Sequence, residues 1–299
     1  MRLDDFDPND INVEDQRGQS FGGGGGGGGL LFGLLPLIGS RFGCGGIVVV
    51  LLLMAVFGGL GNLGGMLGGG QQSAPTSQRA GTDVASSCTV DAQSKAACNA
   101  FQSAENTWEA LFRQSGAQFR EPKLVFYGGT GRSGCGAAQA AMGPFYCPTD
   151  QGIYLDTSFF DELANRFGAK GDFAQDYVIA HEFGHHIQNL LGTSEKVQQV
   201  QRSASETEGN AASVRLELQA DCYAGVWAAQ NRSRMEPGDL EEGLTAAQAI
   251  GDDTLQKQSQ GRVVPDSFTH GTSAQRQAWL RRGIQTGDPA QCDTFSGAI

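Results

Sequence analysis

Between Arg41 and Arg79 the chain carries no charged side chain. The centre of that window, Ile47-Val-Val-Val-Leu-Leu-Leu-Met-Ala-Val-Phe57, is apolar in every direction. A helix that is hydrophobic all round must be buried in a large core or in a bilayer. Its flanks are mostly glycine and could not cover it. The segment therefore reads as a transmembrane helix over Gly43 to Leu63, close to the roughly 20 residues that a bilayer needs. A secretory signal peptide fits less well, because the preceding tail is long and acidic and no A-x-A-like site follows.

That span divides the chain. Residues 1–42 read as a disordered, glycine-rich tail and juxtamembrane segment: Met1 to Ser20 is polar and acidic, and Gly22 to Gly29 has no side chain to bury. Residues 64–82, rich in Gly, Gln, Ser, Ala and Thr, read as a flexible tether, and residues 83–299 as the folded domain. Arg41 abuts the span and the next basic residue is Arg79. The positive-inside rule then places the N-terminus in the cytoplasm and the domain outside it.

Six of the seven cysteines lie beyond the span, as suits an oxidising compartment. None is arranged as C-x-x-C, which argues against a thiolate zinc site. Proximity suggests the pairs Cys88–Cys98 and Cys135–Cys147 and leaves Cys222–Cys292 by remainder, with Cys44 unpaired at the membrane boundary. The net charge is −11 and no Lys/Arg-rich block occurs, so nucleic acid is not an expected partner.

Within the domain, Asp91 to Gln114 has a helical pattern and Lys123 to Tyr127 a strand pattern. Phe145–Cys147 and Gly152–Asp156 suggest a hairpin or paired edge strands, the second offering an edge to an extended peptide. Helical patterns follow near 157–167, 174–191, 208–230, 239–258 and 273–285. Strands early and helices late make an α+β domain, mostly helical with a small sheet.

Three of the four histidines fall within six residues, in Tyr177-Val-Ile-Ala-His-Glu-Phe-Gly-His-His-Ile-Gln188. On a helix, residues four apart lie about 40° apart on one face, so His181 and His185 can offer two imidazoles to one metal ion. Glu182 sits a step around, off that line and suited to act on a water. His186 should point away, as a surface or second-layer histidine. A catalytic zinc site needs a third protein ligand. In Glu217-Leu-Gln-Ala-Asp221, Glu217 can ligate while Asp221 accepts the other ring N–H of a liganding histidine. Glu206 and Glu208 are the fallback ligands, although they look more like a helix start.

His181-Glu-Phe-Gly-His-His-Ile-Gln188 with Glu217-Leu-Gln-Ala-Asp-Cys-Tyr-Ala-Gly225 resembles the bacterial putative neutral zinc metallopeptidase family. The resemblance extends to Gly143-Pro-Phe-Tyr-Cys-Pro148, Ile153-Tyr-Leu-Asp156 and His270-Gly-Thr-Ser-Ala-Gln-Arg276. It implies a zincin-like catalytic domain with a small sheet beside the active-site helix, an N-terminal glycine-rich tail and membrane anchorage in the bacterial cell envelope.

The reaction so implied is hydrolysis of a peptide or protein substrate at one Zn²⁺ held by His181, His185 and Glu217, with Glu182 as general base. An oxyanion needs a further donor. His270, ahead of a capping-box pattern at Thr272–Gln275, is the first candidate and Arg276 the second. Two other functions share these residues: a non-catalytic, zinc-stabilised tethered binding or assembly protein, and a zinc hydrolase of an envelope polymer. A purely structural site has no use for Glu182 beside an open coordination position.

Overall fold

The computed structural model describes residues 1–3, 7–8, 10–19 and 84–299. The expected span at Gly43 to Leu63, the tether 64–82, the glycine run and Cys44 lie outside the described residues. Among the described residues no helix is long and apolar enough to cross a membrane.

Strand β1 (Val13–Asp15) is followed by helices α1 (Val84–Cys88) and α2 (Ala92–Ser115), then by five short strands: β2 (Lys123–Phe126), β3 (Thr130–Ser133), β4 (Gly136–Gln139), β5 (Phe145–Cys147) and β6 (Gly152–Leu155). Helices α3 (Ser158–Asn165), α4 (Asp172–Leu190), α5 (Thr193–Ser203), α6 (Glu206–Gln230), α7 (Asp239–Ala249), α8 (Asp252–Gln260) and α9 (Ser273–Thr286) complete the domain. The α+β, mostly helical reading holds.

The main sheet has the order β1-β2-β6-β5, and β3 with β4 forms a separate hairpin. Side chains alternate across a strand, and both faces here are covered. Leu124, Phe126, Ile153 and Leu155 join the main helical core. Val125, Tyr127 and Tyr154 turn the other way, against Ala138 of β4 and Cys147 of β5.

Two expectations are corrected by this sheet. Residues 10–19 were expected to belong to a disordered tail, yet β1 pairs in parallel with β2, Val13 opposite Leu124. The polar average of the segment hides a local alternation: Ile11 is buried, Val13 packs on the core, and Asp15 ion-pairs with Arg17, which also lies over the Phe126 ring at 4.6 Å. The second correction concerns Gly152–Asp156, expected as an exposed edge. β6 lies between β2 and β5 and is buried along its length; the edges are β1 and β5.

Three smaller differences have local causes. The pattern at 239–258 is two helices, broken where Gly251 is extended and passes so close to Ser273 that a Cβ would fall 2.4 Å from its nitrogen. The helix α5 and the hairpin β3–β4 were not expected; both are short and polar, α5 having only Val197 and Val200 as apolar residues. The disulfides are Cys88–Cys98, Cys135–Cys147 and Cys222–Cys292, the pairing expected.

Glycines set how closely the long helices approach. A Cβ on Gly184 of α4 would stand 3.0 Å from the Ala220 carbonyl oxygen of α6. At the crossing of α6 and α9, a Cβ on Gly283 would fall 2.0 Å from the Cys222 carbonyl oxygen, and one on Gly225 2.3 Å from that of Leu280. Backbone atoms on both sides cannot step aside. Gly283→Ala should therefore destabilise the domain by about 1–3 kcal/mol or more. Gly209→Ala, whose new methyl meets nothing nearer than 3.5 Å, should be neutral or stabilising by up to about 1 kcal/mol. Denaturant unfolding of the two variants checks the contrast.

Candidate metal centre

The helix α4 is buried over most of its 19 residues, so its histidines and Glu182 sit within a packed element. Opposite it, α6 begins at a capping box: the Ser205 side chain caps Glu208 N–H while Glu208 reaches back to the Ser205 N–H. That occupies Glu208, and both fallback ligands, Glu206 and Glu208, lie exposed at the start of the helix, well before the stretch that meets α4. Three turns on, the close approach at Gly184 and Ala220 brings Glu217 and Asp221 against the histidines.

The convergence is specific. His181 Nε2 lies 3.2 Å from Glu217 Oε2, and His185 Nε2 lies 3.4 Å from Glu217 Oε1. Ligand atoms of His181, His185 and Glu217 all fall within 4.8 Å of one another. Both imidazoles use their other nitrogen elsewhere. His181 Nδ1–H donates to Asp221 Oδ1 at 2.8 Å, and His185 Nδ1–H donates to Gln188 Oε1 at 2.8 Å. Those bonds hold each ring as the tautomer whose Nε2 lone pair faces the shared point, the outer-layer arrangement that orients metal-binding histidines.

The outer partners are fixed in turn. Asp221, fully buried, also accepts from the Tyr177 hydroxyl at 2.5 Å and from Arg276 Nε and Nη2, each at 2.9 Å. Gln188 donates to the Leu216 carbonyl at 2.6 Å and to Gln219 at 3.2 Å. Tyr177, Gln188 and Gln219 carried no role in the sequence reading. Gln188 had a signal, since it lies three residues after His185 on one helix face. Tyr177 and Gln219 had none apart from the fold.

Charge completes the pattern. Burial disfavours an ionised Glu217, but the facing His185 and His181 outweigh it and hold the carboxyl well below its usual range. Burial likewise opposes a charged Asp221, and Arg276 and His181 keep it ionised. In His181, burial is outweighed by Asp221 and Glu217, which raise the imidazole to about 9. Glu182 is 8% exposed, and no hydrogen bond commits its carboxylate among the described residues.

The remaining candidates divide. His186 is wholly buried: Nε2–H donates to the Arg120 carbonyl at 2.7 Å and Nδ1 accepts from the Tyr146 hydroxyl at 3.0 Å. Burial lowers it to about 4, so it is a neutral strut between α4 and β5 rather than a surface group. His270 precedes α9, whose Thr272–Gln275 capping box is present as expected. Its side chain is 49% exposed and its Nδ1–H donates to Asp252 Oδ1 at 3.1 Å; Asp252 Oδ2 also accepts the backbone N–H groups of Thr269, His270 and Gly271. Burial works against a charged His270, while Asp252 and the nearby Glu217 raise it. Arg276 is 2% exposed and spends its guanidinium on Asp221, Tyr177 and the Ile250 carbonyl.

A sequence model of the family described as putative neutral zinc metallopeptidase matches residues 4–295. The chain belongs to that family. It is 50% identical over 294 residues to the Uncharacterized protein YpfJ of Escherichia coli K12, covering 96% of each chain. It is also 44% identical over 206 residues to the Uncharacterized protein Rv2575 of Mycobacterium tuberculosis H37Rv, covering 64% of this chain and 69% of that one. No solved structure matches it. The zinc in the family's description fits these residues: two imidazoles and one carboxylate are a donor set that zinc takes with a coordination position left open.

Two measurements test the centre of this zinc metallopeptidase family member. Asp221→Asn should weaken zinc binding by about 10- to 100-fold, read by competition with a chromophoric chelator. In the metal-free protein His181 keeps its proton up to about 9, above its ordinary 6.5. Its stabilising contribution is thus complete below 6.5 and lost as pH rises through 9. Zinc must displace that proton, so calorimetry at neutral pH in buffers of different ionisation enthalpy should show proton release on binding.

Proposed function

We propose that this chain is a zinc-dependent metallopeptidase acting on peptide or protein substrates at the bacterial cell envelope. The observation that carries this reading is the uncommitted Glu182 carboxylate beside three converged ligands. A zinc ion held by His181, His185 and Glu217 would supply Lewis acidity to a water and to the scissile carbonyl. Glu182 takes the proton of the attacking water and delivers it to the departing amine. Asp221 and Gln188 keep the two imidazoles in register throughout. His270, raised by Asp252 and Glu217, is the remaining donor for the developing oxyanion.

An extended substrate would pair along β5 rather than along β6. β5 is an edge of the main sheet, and its Tyr146 is tied to His186 and Asn189 of α4, which sets that edge beside the ligand helix.

Three disulfides support an oxidising compartment for the domain. The single inside-to-outside crossing expected earlier would put β1 and β2 on opposite sides of a bilayer, whereas they pair in one sheet. On this reading residues 10–19 lie on the same side as the domain whose sheet they join.

The test uses the full chain, because a fragment starting near residue 80 would lack β1. Parent and Glu182→Gln should each bind one zinc. The parent should cleave members of a peptide library, and the variant should be slower by about 10²- to 10⁴-fold. Zinc in both with no peptide cleaved by either would reject the peptidase in favour of a binding role or a polymer substrate.

A further inference from the structure

A chain of amide hydrogen bonds runs from His185 to the C-terminal segment, and its direction is set by backbone carbonyls. Gln188, wholly buried, accepts the His185 Nδ1–H and spends its own N–H groups on the Leu216 carbonyl and on Gln219 Oε1, 3.2 Å away. Gln219, 6% exposed, in turn donates from Nε2 to the Cys292 carbonyl at 3.0 Å. The carbonyls of Leu216 and Cys292 can only accept. Gln219 must therefore turn its oxygen toward Gln188, and Gln188 must turn its oxygen toward His185. That leaves the proton on His185 Nδ1 and the Nε2 lone pair facing Glu217. A reversed amide at either glutamine would set like groups against each other in a buried place, which is costly.

A covalent bond holds the Cys292 carbonyl where Gln219 needs it. Cys292 ends a short 3₁₀ turn, Pro289–Cys292, and its sulfur is bonded to Cys222. Gln219 and Cys222 are three residues apart on α6, on one face of that helix. Residue 292 is thus fastened to that face twice, once through its sulfur and once through its oxygen. Both cysteines are wholly buried. Beyond the turn the hold is by hydrogen bonds. Thr294 Oγ1 donates to the Arg215 carbonyl at 2.6 Å, and the Arg215 guanidinium donates to the carbonyls of Thr294 and Gly297.

We propose that Gln219 is a positioning residue for the metal ligand His185, and that the Cys222–Cys292 disulfide is the lock on it. With the two cysteines as thiols, the Cys292 carbonyl leaves Gln219, the amide chain loses its fixed direction, and zinc binding weakens. Forming the lock takes two electrons and two protons from the thiols and passes them to a disulfide of an exchange partner, which departs as a dithiol. The centre thus reaches full zinc affinity in a compartment where disulfides persist and stays weakly metalled where thiols are kept reduced. This coupling depends on the metal centre alone and holds whether or not peptides are cleaved.

The experiment measures zinc affinity by chelator competition, and metal-free stability by urea unfolding, in the full chain and its variants. Gln219→Met and the pair Cys222→Ala/Cys292→Ala should each weaken zinc by about tenfold, the lower end of what outer partners of a metal ligand contribute. Cys88→Ala/Cys98→Ala, which removes the bond tying α1 to α2, should lose stability. It should keep zinc affinity within about twofold, because sites without shared partners act independently. Combining Gln219→Met with the Cys222 and Cys292 changes should weaken zinc no further than about the larger single effect, since both break one chain. Unchanged zinc affinity in Gln219→Met would overturn the proposal; this variant keeps the disulfide and decides the matter even where the cysteine variant fails to fold. So would equal losses of affinity in the two cysteine pairs, or multiplication of the two single effects. A parent that binds no zinc would overturn it together with the metal centre, whereas a zinc-binding parent that cleaves no peptide would reject the peptidase reading alone.

Discussion

Asp221 is the point on which the ligand geometry depends. This one buried carboxylate accepts from Tyr177 and His181 of α4 and from Arg276 of α9 while sitting on α6, so three helices share a single acceptor. A buried carboxylate without partners would be costly; with these it is satisfied and ionised, and it sets the tautomer of a liganding histidine. The helices that carry these groups pack closely. The glycines at 184, 225 and 283 remove the Cβ atoms that would hold the backbones apart, and the Cys222–Cys292 disulfide ties the neighbouring turn of α6 to the C-terminal segment.

The centre is thus a set of charges that only a fixed scaffold can keep together. Glu217 and Asp221 are held ionised, and His181 is raised, against burial in each case. Each is kept charged by a neighbour of opposite sign on another helix. A metal ion bound there would take over the role that protons on the histidines fill without it, and Glu182 is the acid in this cluster with no hydrogen-bond partner among the described residues.

Most of the candidate ligand set was legible because its spacing is local. His181, Glu182 and His185 share one turn of helix, and Glu217 with Asp221 repeats the four-residue spacing on another; helical geometry alone puts each pair on one face. The capping box at Thr272 was legible for the same reason; at Glu206 and Glu208 only a helix start was read, and the structure supplied the box at Ser205. What failed were judgements that depend on neighbours distant in sequence. Composition made residues 1–19 look disordered, although Ile11 and Val13 needed only β2 as a partner. Gly152–Leu155 has the same alternation whether it is an edge or an interior strand, and β1 with β2 decided which. Arg276 lay in a suggestive segment, but its direction is set by Asp221.

The sequence by itself determined the chemistry offered here: two imidazoles and a carboxylate for a metal, a free acid beside them, six cysteines able to pair, and a mostly helical domain around them. Those follow from residue identity and short-range spacing, which the backbone preserves wherever the helix is placed. Only the tertiary structure decided which groups fix the imidazoles, which strand is an edge, and that residues 10–19 belong to the domain. Each of these rests on contacts between segments tens to hundreds of residues apart, and no local pattern encodes the distance at which two helices or two strands meet.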